Sequence, residues 1–307
     1  MTTKLIIDTD PGIDDAMAIF YAAAAPDIEL LGLTTIFGNV TTKMATRNAL
    51  RLLEAADLDL PVAEGAGQPL VLPPFEPSAH VHGEEGFGDI PAATPKGQAL
   101  DEEAADFLIR MARLHKGELI VCPIGPLTNI ALAVQRDPDF VKNCKQIVIM
   151  GGSLEAGGNI SPHAEANIYH DPHAAEVVFA AAAGKITMVG PDGTLKILCV
   201  PEDFDAIKER SPELGGMLKQ MSVFYIKFYQ EVANLNGCSL HDPAAVIACT
   251  HPDLFQTRAV PLRVSVDPET SGATELADDA RGKTNVAMDV DAEAVKALFL
   301  KRLSLLP

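Results

Sequence analysis

The sequence predicts an α/β fold, a single domain with a mainly parallel central sheet flanked by helices. Short apolar segments such as Leu5-Ile6-Ile7 alternate with Ala- and Leu-rich amphipathic segments along the 307 residues. Strands that are apolar throughout are typical of parallel sheets covered on both faces, and alternating helices supply the crossovers that such sheets need. No repeat, low-complexity tract or linker divides the chain, so we predict one domain over residues 1–307.

Two patterns define the elements of the first half. Runs rich in Leu, Ile and Val predict strands, and apolar residues recurring at spacings of three and four predict helices. In chain order they are a strand at Leu5–Ile7, a helix at Asp14–Ala25, a strand at Ile28–Ile36, a helix at Lys43–Ala56, a helix at Asp101–Leu114, a strand at Glu118–Cys122, a helix at Leu127–Gln135 and a strand at Gln146–Met150.

The same patterns continue in the second half, with one irregular region before it. Residues Gly65–Lys96 are rich in Pro and Gly and have no periodicity, which predicts a long loop of the kind that often carries function. The later elements are a helix at Pro172–Ala182, a strand at Ile186–Val189, a long helix at Pro212–Val232, strands at Pro261–Val266 and Asn285–Val290, and a helix at Ala292–Leu303.

Composition excludes several kinds of partner. The chain has 24 basic and 42 acidic residues, a formal net charge of −18, so a nucleic-acid partner is not expected. No apolar run has the roughly 20 residues of a membrane span, and the first residues lack the features of a secretory signal. The five cysteines are an odd number without a C-x-x-C pair, which predicts reduced, buried thiols. We therefore expect a cytoplasmic protein.

The first strand leads into an acidic turn, Asp8-Thr9-Asp10-Pro11-Gly12-Ile13-Asp14-Asp15. Its four carboxylates lie at the carboxyl end of a strand, where open α/β sheets bind ligands. One of them would serve as a helix cap, but four repel one another unless a cation lies among them. A hard divalent cation with oxygen ligands is the natural candidate.

Two other interpretations of this turn can be tested by spacing. An EF-hand starting at Asp8 needs Gly and Glu where the chain has Ile13 and Ile19, so it is excluded. A magnesium-dependent phosphatase of the aspartyl-phosphate type would use Asp8 as nucleophile and Asp10 as acid. Such loops carry Thr or Val two residues after the second Asp, where this chain has Gly12. The phosphatase therefore stays open as a weak alternative.

The whole string from Asp8 to Ala16 resembles the opening signature of the inosine–uridine-preferring nucleoside hydrolase family. The resemblance extends over nearly the whole chain and implies a Rossmann-like nucleoside hydrolase fold. Further matching segments, in order, are Phe37-Gly38-Asn39-Val40, His82-Gly83 with Gly86, Gly125-Pro126-Leu127-Thr128-Asn129, Met150-Gly151-Gly152, Gly158-Asn159-Ile160, Glu165-Ala166-Asn167 and His241-Asp242-Pro243.

The resemblance implies a calcium ion held by the carboxylates of Asp10, Asp15 and Asp242 and by the main-chain carbonyl of Ile124. Calcium takes six to eight oxygens, and a ribose diol can replace two of its waters. Asp-Pro pairs also occur at Asp137, Asp171 and Asp267, where they predict helix caps. The spacing alone therefore leaves Asp242 open between cap and ligand.

The resemblance also implies roles in hydrolysis of an N-glycosidic bond, which passes through an oxocarbenium-like sugar. Asp10 would be the base that activates water, and His241 the acid that protonates the leaving base. The ribose 2′- and 3′-hydroxyls would be held by Asp14, Asn39 and Asn167, the 5′-hydroxyl by Asn159 and Glu165, and the pocket would be lined by Met150. Turn capping is the alternative for each asparagine.

Three side chains are candidates for contact with the base. His82 lies on the long loop, and Tyr225 and Tyr229 lie one helical turn apart. An aromatic stripe at helical spacing is also typical of core packing, which is the alternative for the tyrosines. The chain has no Trp, which disfavours the purine-specific branch of the family.

These features predict a calcium-dependent hydrolase of ribonucleosides that acts in purine and pyrimidine salvage. The resemblance implies a homo-oligomer, a dimer or a homotetramer. The alternatives are the phosphatase and a non-catalytic nucleoside- or calcium-binding protein. Release of free ribose from inosine or uridine distinguishes hydrolysis from both.

Overall fold

The computed structural model describes residues 2–181 and 184–306, in which strands and helices alternate as the sequence predicts. The strands are β1 (Thr3–Thr9), β2 (Ile28–Thr35), β3 (Val62–Glu64), β4 (Leu119–Pro123), β5 (Gln146–Met150), β6 (Ile186–Val189), β7 (Leu198–Cys199), β8 (Cys238–Ser239), β9 (Phe255–Val264), β10 (Thr274–Leu276) and β11 (Lys283–Val290).

Most helices begin at an identifiable local signal. The carboxylate of Asp171 accepts a hydrogen bond from the Ala174 N–H (3.0 Å), and Asp291 does the same for Ala294 (3.1 Å). The helices are α1 (Ile13–Ala24), α2 (Thr42–Ala55), α3 (Ala79–His82), α4 (Ala104–Leu114), α5 (Thr128–Arg136), α6 (Phe140–Asn143), α7 (Ala166–His170), α8 (Pro172–Ala180), α9 (Pro191–Thr194), α10 (Pro201–Arg210), α11 (Leu214–Ala233), α12 (Asp242–Thr250) and α13 (Ala292–Leu303), with a 3-10 turn at Pro252–Leu254.

The described residues form one sheet of nine strands in the order β10-β9-β11-β6-β5-β4-β1-β2-β3. Strands β3, β2, β1, β4, β5, β6 and β11 are parallel, and β9 is antiparallel to both of its neighbours. The segment β3-β2-β1-β4-β5-β6 has the Rossmann order, whose direction of winding reverses between β1 and β4. Ligands of such sheets bind in the crevice at this reversal.

The sheet separates two apolar layers. Leu5 and Ile7 of β1 face a core built with α1, α2, α11, α12 and α13, whereas Ile6 faces a second core built with α4, α5, α6 and α8. All three side chains are fully buried. Burial on both faces explains why these strands read as continuous apolar runs. A small two-stranded sheet pairs β7 with β8, just before the start of α12.

The predicted fold class is confirmed, and the differences lie in element boundaries and in ten elements that were not predicted. The helix expected from Asp101 begins at Ala104, and the strand expected at Pro261–Val266 is the end of the longer β9. Ala182, the last residue of a predicted helix, lies outside the described residues. The short elements β3, α3, α6, α7, α9, β7, β8 and β10 were not predicted, and neither were the longer helices α10 and α12.

No helix in the described part of the chain has the length and apolarity to cross a bilayer. All five cysteines are buried as free thiols.

Candidate active site

The site lies at the carboxyl ends of β1 and β4, where the winding of the sheet reverses. The Ile124 N–H donates to the Asp8 carbonyl (2.8 Å) and the Ile36 N–H to the Thr9 carbonyl (3.0 Å), so the ends of three adjacent strands are tied together. The Asp242 N–H at the start of α12 donates to Asp14 Oδ2 (3.2 Å). Residues far apart in the sequence therefore meet here.

Four predicted site carboxylates, Asp10, Asp14, Asp15 and Asp242, are buried together, each at most 4% exposed. Burial raises the pKa of Asp14 to about 8 and also raises the pKa of Asp15. The pKa of Asp10 is raised by burial and then by the Asp15 charge, and that of Asp242 by burial and then by the charges of Asp14, Asp15 and Asp10. Ionisation of the whole cluster requires a compensating positive charge.

Hydrogen bonds fix the orientations of Asp10 and Asp15. Asp15 Oδ1 accepts from the Thr9 hydroxyl (2.5 Å) and Oδ2 from the Gly12 N–H (3.0 Å) and Asn39 Nδ2 (3.1 Å). Asp10 Oδ2 accepts from the Asn39 N–H (2.6 Å). The Asn39 side chain and backbone thus bridge the two carboxylates.

Within this cluster two buried carboxylate oxygens, Asp10 Oδ1 and Asp14 Oδ1, have no hydrogen-bond partner among the described residues, and the neighbouring Asp8 Oδ2 has none either. Gly125 leaves room beside the first, since a Cβ there would lie 2.5 Å from Asp10 Oδ1. Unpaired buried carboxylate oxygens are costly, and a hard cation is a ligand that would satisfy them.

A divalent cation fits this cluster in its donor chemistry. Every side-chain donor is a carboxylate oxygen, the type that hard cations prefer. Among residues 2–181 and 184–306, no three Asp, Glu, His or Cys side chains converge at the spacing of bound metal ligands. Asp15 is turned toward hydroxyl, amide and backbone donors instead.

The predicted carbonyl ligand, Ile124, lies beside two predicted ribose-site residues. Asn167 Nδ2 donates to the Ile124 carbonyl (3.0 Å) and to the Met150 carbonyl (3.2 Å), and it lies 3.2 Å from Met150 Sδ. Both Asn167 and Met150 are buried. Asn167 therefore joins the ends of β4 and β5.

Glu165 and Asn159 organise a loop over residues 151–165, here named the 151–165 loop. The buried Glu165 carboxylate accepts from the N–H groups of Gly152 (2.8 Å), Asn167 (3.0 Å) and Ile168 (3.3 Å), which caps α7 and closes the loop. Burial raises its pKa. Asn159 is exposed, and its Oδ1 accepts from the Ala166 N–H (2.9 Å).

His241 is held between two hydroxyls. Thr194 Oγ1 lies 2.6 Å from Nδ1, and the Tyr229 hydroxyl lies 2.8 Å from Nε2. The Thr194 hydroxyl donates its one proton to the Gly190 carbonyl (3.1 Å), so it accepts from Nδ1–H. Nε2 is then the acceptor for Tyr229. Burial lowers the pKa of His241 to about 4, so the imidazole is neutral near pH 7.

His82 and Tyr225 form an adjoining aromatic wall. Their rings stack with centroids 5.5 Å apart, and Tyr225 meets Tyr229 edge to face at 5.1 Å. His82 Nδ1 accepts from the Ile13 N–H (3.1 Å) beside the acidic turn, and burial lowers its pKa to about 3. Both tyrosines are more than nine-tenths buried, and the Tyr229 hydroxyl pairs with His241.

Sequence reasoning did not identify Thr194 or the residues that support Asp8. Asp8 Oδ1 accepts from Thr34 (2.5 Å) and from Asn129 Nδ2 (2.8 Å), and burial raises its pKa to about 7. Asn129 belonged to a matched motif without an assigned role. The position of Thr194 just after the apolar strand β6 is the one local signal it offered.

Comparison with known proteins shows the family of the chain. The family model described as inosine-uridine preferring nucleoside hydrolase matches residues 5–297. A probable uridine nucleosidase 2 from Arabidopsis thaliana is 41% identical over 313 residues, 98% of this chain and 97% of that protein.

Two solved structures have nearly the same fold. A plant nucleoside hydrolase, the PpNRh1 enzyme, has a TM-score of 0.95 and 37% identity, with 99% of each chain covered. A purine-preferring ribonucleoside hydrolase from Gardnerella vaginalis has a TM-score of 0.94 and 36% identity, with 98% of each chain covered. These matches extend over the strands and loops that carry the buried carboxylates, and they lend no support to the phosphatase or the non-catalytic binder. The chain belongs to the inosine-uridine preferring nucleoside hydrolase family, whose members are enzymes that cleave N-glycosidic bonds.

Proposed function

We propose that this protein is a calcium-dependent hydrolase of inosine and uridine that releases ribose and the free base. The observation that carries the proposal is the cluster of four buried carboxylates at the switch point of the sheet, in which Asp10 Oδ1, on the cation side, and Asp14 Oδ1, on the ribose side, have no hydrogen-bond partner among the described residues. The name of the Arabidopsis relative supports uridine, and the description of the family supports inosine as well.

Asp10, Asp15, Asp242 and the Ile124 carbonyl would hold the cation. When bound, calcium would orient the ribose diol and lower the pKa of a water molecule. Occupation of the site requires Asp15 to exchange some of its present hydrogen bonds and the Ile124 carbonyl to share its contact with Asn167. Carboxylates and a carbonyl make an all-oxygen set, which suits calcium better than zinc.

Asp10 is suited to accept a proton from the attacking water. Its Oδ2 is fixed by the Asn39 N–H, and its Oδ1 has no hydrogen-bond partner among the described residues. Burial and the neighbouring Asp15 carboxylate raise its pKa above the usual range, and a more basic carboxylate is a better general base. Asp14, Asn39 and Asn167 contact the Asp242 N–H, the Asp15 carboxylate and the Ile124 carbonyl, respectively, and would bind the 2′- and 3′-hydroxyls.

The leaving base needs a proton, because it otherwise departs as an anion. Thr194 holds the Nδ1–H of His241, and Nε2 of the neutral ring accepts from the Tyr229 hydroxyl, 2.8 Å away. His241 would act as the acid after Nε2 takes up a proton from solvent. That proton would then reach the leaving base directly, or through Tyr229, whose hydroxyl gives up its own proton as it receives the one from Nε2. His82 and Tyr225 would bound the base on the neighbouring side.

One assay tests the proposed reaction. Purified protein with calcium is incubated with inosine or uridine, and free ribose and free base are measured. Equimolar ribose and base support the hydrolase. Phosphate release from phosphomonoesters without ribose release would instead favour the phosphatase, and binding without turnover the non-catalytic protein.

Replacement of His241 by Ala is expected to slow inosine hydrolysis roughly 10²- to 10⁴-fold, because general acid catalysis contributes that much. The loss should be far smaller with p-nitrophenyl riboside, whose leaving group is stable as an anion. Steady-state kcat/KM on both substrates gives the comparison. His251→Ala, at the far end of the same helix, is the matched control and should retain activity on both. Equal losses for His241→Ala on the two substrates would contradict the acid role.

We also propose that the enzyme acts in the cytoplasm, in nucleoside salvage, as a homodimer or homotetramer. Five buried free thiols suit a reducing compartment. Light scattering of the purified protein measures the oligomeric state directly, and a monomer would contradict this part of the proposal.

A further inference from the structure

The short junction that follows β6, Gly190-Pro191-Asp192-Gly193-Thr194, contacts both sides of the site. At its first residue, a Cβ would overlap the carbonyl oxygen of Gly152, so glycine allows the junction to pack directly on the 151–165 loop. At its last residue, Thr194 bonds His241. Asp192 lies between these two residues.

The Asp192 carboxylate is an anchor for the 151–165 loop. Its Oδ2 accepts from the Leu154 N–H (2.8 Å), and its Oδ1 accepts from the N–H groups of Glu155 (2.7 Å) and Ala156 (2.8 Å). Asp192 is 7% exposed. Three charge-assisted hydrogen bonds from consecutive backbone amides to one buried carboxylate fix a segment that has no regular secondary structure.

The anchored amides immediately precede Gly157, Gly158 and Asn159. Two consecutive glycines provide little backbone stiffness, so the position of Asn159 depends on how the loop is held on either side. On the far side, Asn159 Oδ1 accepts from the Ala166 N–H, and the Asn159 N–H donates to the Ala164 carbonyl (3.1 Å). On the near side the buried anchor is Asp192, which lies outside the loop.

We propose that Asp192 is a positioning residue for the 5′ side of the sugar, acting through the 151–165 loop on Asn159. The inference rests on the proposed function, in which Asn159 and Glu165 bind the 5′-hydroxyl. The junction thereby positions residues at both ends of a bound nucleoside. Asp192 acts on the sugar side through the 151–165 loop, and Thr194 acts on the base side through His241.

The test uses a substrate that lacks only the group concerned. Asp192→Asn keeps the shape of the side chain but turns one acceptor oxygen into an amide that cannot accept from a backbone N–H. We expect kcat/KM for uridine to fall roughly 10- to 100-fold, because a misplacement of about 1 Å costs on that order. With 5′-deoxyuridine the variant and the wild type should be nearly equal.

Three further variants separate positioning from a general loss of structure. Glu155→Gln removes an exposed carboxylate from the same loop, where it pairs with Arg258, and should leave both substrates unaffected. Thr194→Val should lower kcat/KM for uridine and 5′-deoxyuridine by equal factors, since it acts at the base. In an Asn159→Ala background, Asp192→Asn should lower kcat/KM for uridine by little more, because the effects of two substitutions that act through one group are not additive.

The outcomes distinguish this inference from the proposed function. A wild-type enzyme that releases no ribose from uridine contradicts the proposed function itself. If the wild type is active, the positioning role alone is overturned by either of two results for Asp192→Asn. These are equal losses of kcat/KM for uridine and 5′-deoxyuridine, or no loss for either substrate. If Asp192→Asn does not fold, Asp192→Glu replaces it, because this variant keeps the charge but displaces it. Its kcat/KM should fall by a smaller factor, and only for uridine. Equal losses for uridine and 5′-deoxyuridine in Asp192→Glu would also overturn the positioning role.

Discussion

Exhaustive chelation is expected to abolish ribose release and to lower the melting temperature, and added calcium should restore both. A cation that binds only the native state stabilises it by mass action, by about 2.7 kcal/mol at a free concentration 100 times Kd, and its removal withdraws that stabilisation. Removal also leaves Asp10, Asp14, Asp15 and Asp242 buried together with raised pKa values and without a compensating charge. Thermal unfolding and activity, with elemental analysis of the chelated protein, provide the measurement.

Two Asp-Pro pairs, one buried in the carboxylate cluster and one exposed, provide a matched control. Asp242→Asn should weaken calcium binding and reduce the calcium-dependent gain in melting temperature, because it removes one buried carboxylate of the cluster. Asp267→Asn changes an exposed Asp that also precedes a proline and should behave as wild type. Full activity of protein verified to be free of metal would disprove the calcium hypothesis.

A 2′-deoxyribonucleoside is expected to be a very poor substrate. The 2′-hydroxyl would meet calcium and the polar side chains of Asp14, Asn39 and Asn167, and a substrate without it leaves those buried groups unmatched. Sites built to pair a hydroxyl discriminate by about 10⁴- to 10⁵-fold. The glycosidic bond of 2′-deoxyinosine is intrinsically more labile than that of inosine, so chemistry alone predicts the opposite order.

The measurement compares kcat/KM for inosine and 2′-deoxyinosine at saturating calcium. Asn39→Ala serves as a test of mechanism, since it should reduce the ratio between the two substrates by lowering the value for inosine. Comparable values for the two substrates in the wild type would show that the diol is not bound as proposed.

Sequence patterns predicted the elements that are long or buried on both faces. The buried centres of β1, β4 and β5 are apolar runs, and the bounds of α1, α2 and α8 were predicted to within two residues. Elements of two to five residues, such as α9 and the pair β7–β8, carry too few residues for a periodic signal. Their conformations are set by contacts with distant residues, as when the Leu240 N–H beyond β8 donates to the Ile197 carbonyl.

The candidate site was predictable in its members but less so in its geometry. The acidic turn indicated a cation because four neighbouring carboxylates repel, and that needs no knowledge of the fold. Asp242 was ambiguous because an Asp before Pro caps a helix equally well. The bond from Thr194 to His241 joins residues 47 positions apart, so no local pattern indicates it. The capping of α7 by Glu165 uses the same carboxylate that the resemblance assigned to substrate.

The contact between Asp14 and the Asp242 N–H closes over 228 positions of sequence, and this has a consequence for biosynthesis. At roughly 5–20 residues per second, the acidic turn leaves the ribosome on the order of 10–50 s before its partner. The nascent chain therefore carries a group of mutually repelling carboxylates for most of its synthesis. A translation product truncated before position 241 lacks both His241 and Asp242, so we expect it to have no nucleoside-cleaving activity.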